Sequence, residues 1–159
     1  CESFLQQHIM QPLGLRPEQL IGFQSENIDE AECERVTDLI ASRGGLDLCV
    51  LGIGKNGHLG LNEPGSALEP FCHISRLDEQ TRHHDMLKSA GRPVTHGITL
   101  GLKEILNAKE ILLLIAGEGK QDAVEKYLTT AVTTAIPASF LWLHDNTTCL
   151  LDGSRYSDR

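Results

Sequence analysis

The sequence predicts an α/β protein: a three-layer, doubly wound, mostly parallel sheet with helices on both faces, incomplete on its N-terminal side. Three observations carry this expectation. Leu46 to Ile53, interrupted only by Asp47, and Ile111 to Ala116 are apolar runs too short for ordinary helices; glycines bound the first and Gly117 ends the second. Both runs break into glycine-rich loops, Gly52 to Gly57 and Gly117 to Gly119. Segments with helical spacing of apolar residues alternate with them, the arrangement of a parallel sheet covered by helices.

In chain order, Phe4, Leu5, Ile9 and Met10 recur at helical spacing, and Gln11-Pro12-Leu13-Gly14 closes that element. Pro17 opens a short segment whose Leu20, Ile21 and Phe23 read as core contacts. A second helix is expected from Asn27, an N-cap with Glu30 three residues on. Ala31, Val36, Leu39 and Ile40 form its apolar stripe and Gly44-Gly45 ends it. Its acidic first half reads as a solvated face. The two apolar runs read as strands buried on both faces. Residues 65–93 read as irregular, with His83-His84-Asp85 on a lid or surface segment rather than on a metal. Helices are expected over Thr99 to Ala108 and Lys120 to Leu128, then a short strand in Val132 to Ile136. Pro137 should start a helix through Trp142, Thr147 to Leu151 should be a last strand, and Gly153 to Arg159 a polar tail.

Composition narrows the function. Apolar residues make up 40% and charged ones 23% of the 159, ordinary values for a globular protein. The net charge of −8 argues against nucleic acid and anionic membranes, which are bound through clustered Lys and Arg. No run approaches a membrane span, and the expected location is the cytoplasm. The five cysteines are odd in number and never paired as C-x-x-C, so reduced thiols are expected, with no metal. The chain begins with Cys1 inside what reads as a helix, which points to the C-terminal part of a single domain, residues 1–159.

The functional signal lies in the loop after the first strand. Gly52, Gly54 and Gly57 satisfy G-x-G-x-x-G, but Gly60 and Pro64 interrupt the helix that a dinucleotide site requires. The same loop presents Asn56, His58 and, five residues on, Glu63. A histidine at the carboxyl end of a strand is placed to move protons near neutral pH. A nearby carboxylate can orient it and stabilise its charged form. Lys120 follows the second apolar run at a helix start, where an anion is favoured. Gly52 and Gly54 are expected to let a ligand approach the backbone.

Gly52-Ile53-Gly54-Lys55-Asn56-Gly57-His58 through Asn62-Glu63-Pro64-Gly65 resembles the signature of the glucosamine-6-phosphate deaminase family. Its wording is most similar to the galactosamine-6-phosphate deaminase/isomerase branch. Gly97-Ile98-Thr99-Leu100-Gly101 and Gly117-Glu118-Gly119-Lys120 extend the match. The resemblance implies conversion of a hexosamine 6-phosphate, galactosamine or glucosamine, into a ketose 6-phosphate and ammonia, without cofactor. It implies that His58 assists ring opening, that Glu63 and Asn56 support it, and that Lys120 contacts the phosphate. Arg82, Lys88 and Arg92 are further candidate cations. Asn56 stands where the glucosamine branch has aspartate, which removes a negative charge near the imidazole. The family's proton-shuttling aspartate and phosphate loop precede the matched part, so this piece alone is expected to be inactive. A homo-oligomer is compatible with the resemblance. The rival readings are a 6-phosphogluconolactonase-like hydrolase and a non-catalytic sugar-phosphate sensor.

Overall fold

A computed structural model describes residues 2–24, 28–65, 67–82 and 93–153. Three strands form a parallel sheet in the order β1 (Leu48–Gly52), β4 (Glu110–Ile115), β5 (Thr147–Leu151). Cys49 pairs with Ile111 and Leu113 with Cys149, so all three carboxyl ends lie at one edge. Two further strands, β2 (His73–Arg76) and β3 (His96–Thr99), form a separate antiparallel pair. Both lie partly or wholly in or beside the stretch expected to be irregular. Their four-residue length and polar content leave little periodic signal to read.

The α/β class and the parallel sheet match the sequence expectation, but the strands are not buried on both faces. One face of the sheet carries Cys49, Ile111, Leu113 and Ile115 into the core. There they meet Leu102 and Ile105 of a short helix (Leu102–Leu106) and Val124 and Tyr127 of another (Gln121–Leu128). The opposite face exposes Leu48, Val50, Leu114 and Leu150. An apolar run cannot reveal which of its faces is covered. Pleating sends alternate side chains to opposite sides, and here only the odd-numbered ones of β4 reach the core.

The helices are α1 (Glu2–Leu5), α2 (Gln11–Leu13), α3 (Glu30–Ser42), α4 (Glu79–Arg82), α5 (Leu102–Leu106) and α6 (Gln121–Leu128). A π-helical turn, Gln6–Met10, joins α1 to α2, and Gly14 at φ 62° ends the element. Of Phe4, Leu5, Ile9, Met10 and Leu13 only Met10 is buried. Asn27 lies outside the described residues, as do Cys1, His83-His84-Asp85, Lys88, Arg92 and residues 154–159. The cap of α3 is instead Asp29, whose carboxylate accepts the Glu32 N–H at 3.0 Å. Thr99 belongs to β3, and the following helix starts only at Leu102. Thr133 and Ile136 make one isolated bridge rather than a strand, and Pro137–Leu143 is a 3₁₀ helix. The four described cysteines are free, Cys33 and Cys49 buried.

Candidate functional site

The loop leaving β1 folds back on itself at the carboxyl edge of the sheet. Ile53 bridges Leu59, and Leu59 bridges Asn62. The Gly57 N–H donates to the Gly54 carbonyl at 3.0 Å, and the Gly54 N–H donates to the His58 carbonyl at 2.9 Å. Gly57 takes φ 89°, the left-handed region where glycine is favoured. Asn62 is buried, and its amide donates to the Leu59 and Leu100 carbonyls at 2.8 and 2.9 Å. Those bonds tie the loop to the residue following β3.

This fold-back brings three of the expected residues together. The Glu63 carboxylate lies 3.4 Å from His58 Nδ1, with His58 one-fifth and Glu63 one-tenth exposed. Asn56 Nδ2 donates to Glu63 Oε2 at 2.8 Å, while Asn56 Oδ1 accepts the His58 backbone N–H at 3.1 Å. Asn56 therefore supports the imidazole by holding Glu63 and the turn, not by accepting the ring N–H. The Asp78 backbone N–H reaches Glu63 Oε1 at 3.3 Å. Burial alone would raise the Glu63 pKa. Hydrogen bonds from His58, Thr81 and Asn56 outweigh it and hold the carboxyl down at about 2. Glu63 is thus ionised at neutral pH and can stabilise an imidazolium.

Gly54 underlies this group. A Cβ there would overlap the imidazole at Cε1, Nδ1 and Cγ. The missing side chain makes room for His58. Gly52, by contrast, is the last residue of β1, and a Cβ there would meet only the Leu114 carbonyl at ordinary contact distance, 3.6 Å.

Lys120 caps the N-terminus of α6, at the same sheet edge. Burial depresses its pKa, and the neighbouring Lys55 ammonium depresses it further. Lys55 Nζ lies 3.4 Å from where a Cβ on Gly119 would be. Sequence reasoning passed over Lys55, although a lysine beside the motif glycines was the available signal. It also passed over Thr81, which lies in a polar stretch with no periodicity. Arg82 ends α4 and is exposed.

A cavity of about 500 Å³ lies elsewhere, between α3, Phe71, Cys72 and α5. It borders Gly45 and Leu46, at the amino end of β1. Ligands in open α/β sheets bind at the carboxyl ends, so the His58 loop is the better candidate. No group of three or more His, Cys, Asp or Glu among the described residues is placed to hold a metal. No helix there is long and apolar enough to cross a membrane.

The profile of the family described as glucosamine-6-phosphate isomerases/6-phosphogluconolactonase matches residues 1–150. A protein of Escherichia coli (strain K12) named "Putative deaminase AgaI" is 72% identical over 152 residues, 96% of this chain and 61% of that protein. A glucosamine-6-phosphate deaminase of Bacillus pumilus is 37% identical, over 94% of this chain and 64% of its own. The solved structure of a monomeric glucosamine-6-phosphate deaminase, described as a missing link of the NagB superfamily, superposes with a TM-score of 0.85 at 36% identity. It covers 93% of this chain and 63% of that one. A 6-phosphogluconolactonase from Trypanosoma brucei, at TM-score 0.62 and 21% identity, shares the fold. This chain thus spans less than two thirds of the length of each of these deaminase relatives. With the motif loop folded as described and 150 residues matched, the chain belongs to the glucosamine-6-phosphate isomerase/6-phosphogluconolactonase family.

Proposed function

We propose that this chain supplies the ring-opening group of a hexosamine 6-phosphate deaminase/isomerase. The overall reaction converts galactosamine or glucosamine 6-phosphate and water into a ketose 6-phosphate and ammonia. One observation carries the reading: an ionised Glu63 held 3.4 Å from the Nδ1 of His58 at the carboxyl edge of the sheet.

The chemistry follows from that pair. Opening the pyranose breaks the bond between C1 and the ring oxygen. The ring oxygen gains a proton and the anomeric hydroxyl loses one. His58 carries that proton, with Glu63 stabilising the imidazolium between the two transfers. The C2 proton then leaves and C1 gains one, while the nitrogen gives up a proton and the C1 oxygen takes one, leaving an imine at C2 and a hydroxyl at C1. Water converts the imine to the ketone and releases ammonia. No residue of this chain is assigned to the C1–C2 transfer. Lys120, with Lys55 beside it, supplies positive charge for the phosphate.

The same reading makes residues 1–159 part of one larger deaminase domain. Two observations support it: the length shared with the relatives and the exposed apolar face at Leu48, Val50, Leu114 and Leu150. A cytoplasmic location goes with a phosphorylated substrate, which does not cross a bilayer unaided.

The test exchanges the aligned 152-residue stretch of the Escherichia coli relative for this chain and assays the chimera. Ammonia release from either hexosamine 6-phosphate, lost with His58→Asn, is the expected result. Hydrolysis of a 6-phosphogluconolactone without ammonia release from any amino sugar would overturn the proposal.

A further inference from the structure

We propose that Thr81 is a positioning residue. Its hydroxyl links Glu63 to His58 and fixes the imidazole in the tautomer protonated on Nδ1, leaving Nε2 as the base. The inference rests on the reading of His58 as the proton-carrying group.

Thr81 lies in α4 and is buried, 9% exposed. Its Oγ1 is 3.3 Å from His58 Nδ1. The same hydroxyl hydrogen-bonds Glu63. An ionised carboxylate only accepts hydrogen bonds, so the single hydroxyl proton points at Glu63. The Thr81 oxygen then faces Nδ1 as an acceptor. Glu63 Oε2, 3.4 Å from the same nitrogen, is an acceptor too. A nitrogen facing two acceptors retains its proton, which places the free lone pair on Nε2.

The local fold explains why this segment reaches the site. The Arg82 N–H donates to the Asp78 carbonyl at 2.9 Å, closing the turn, while the Asp78 N–H grips the other oxygen of Glu63. Four donors thus converge on one carboxylate, two from the motif loop and two from the segment after β2. Glu63 is the ionisable group against Nδ1. Asp78, Glu79 and Arg82 flank Thr81 on its own segment and are exposed.

The experiment reads the tautomer directly, without turnover, and so fails separately from the assay of the chimera. Histidine ¹⁵N shifts are recorded on the 159-residue chain, with His58 assigned by the signal that His58→Asn removes. The wild-type chain should carry the proton on Nδ1. Thr81→Val, nearly isosteric, should raise the Nε2-protonated fraction by about three- to tenfold, the scale of one lost hydrogen bond. Thr81→Ser should restore the wild-type signature. A wild-type proton on Nε2, or an unchanged signature in Thr81→Val, would overturn the proposal. Should Thr81→Val not fold, Thr81→Ala replaces it with the same expectation, and an unshifted signature there is equally fatal.

Discussion

Two glutamates of this chain are held at about 2, and they are held in opposite ways. Glu32, on α3, takes its stabilisation first from Arg35, whose Nε and Nη2 each lie 2.7 Å from a carboxylate oxygen. The Gln24 N–H adds a third donor at 2.7 Å. A guanidinium stays charged at any ordinary pH, so that pair is permanent. It corrects the reading of the acidic half of α3 as merely a solvated face, since Glu32 is buried. Glu63 opposes a burial cost with an imidazole, a hydroxyl and an amide. Its partner is an imidazole, which unlike a guanidinium carries no permanent charge. The first arrangement is a fixed ion pair, whereas the second, on the proposed reading, passes a proton and returns.

The sharpest way to break the contrast is Gly54→Ala. The added methyl evicts the imidazole while leaving Glu32 and Arg35 untouched. Ammonia release by the chimera should fall by about 10²–10⁴-fold, the worth of a positioned acid–base group. Circular dichroism should show the fold retained. Next in size is Asn56→Asp. It replaces the amide 2.8 Å from Glu63 with a second carboxyl, and two carboxylates at that distance cannot both ionise. The acid limb of the rate profile of the chimera should move up by about one pH unit or more. An unmoved profile would mean that position 56 does not tune the pair.

The smallest effect is on stability. Both carboxyls bind protons less readily in the folded chain than at their ordinary value of 4.5. Their contribution is therefore fully present above pH 4.5 and is lost as pH falls toward about 2. Glu32→Gln and Glu63→Gln should each flatten the fall in melting temperature across that window. Only Glu63→Gln should also alter the histidine tautomer signature.

Much of this was legible in the sequence, for identifiable reasons. β1 and β4 announced themselves as short apolar runs, β5 lies where a last short strand was expected, and α6 began one residue from where the spacing placed it. His58, Glu63 and Asn56 were legible because a long motif fixed them in one turn. Val50 shows what a run cannot say: its chemistry fits a covered sheet, yet it is 54% exposed. β2 and β3 were missed because His73-Ile74-Ser75-Arg76 has too few residues to establish a period. Thr81 was missed for a related reason. Its role depends on a contact with a residue 23 positions earlier, which no local pattern encodes.

The bare side of the sheet has a colloidal consequence. Leucines and a valine on neighbouring strands form an adhesive strip, while a net charge of −8 pushes copies of the chain apart. Dissolved ions shorten the reach of that repulsion and leave the adhesion intact. Light scattering from the chain should therefore rise with added sodium chloride, and Val50→Lys should suppress the rise.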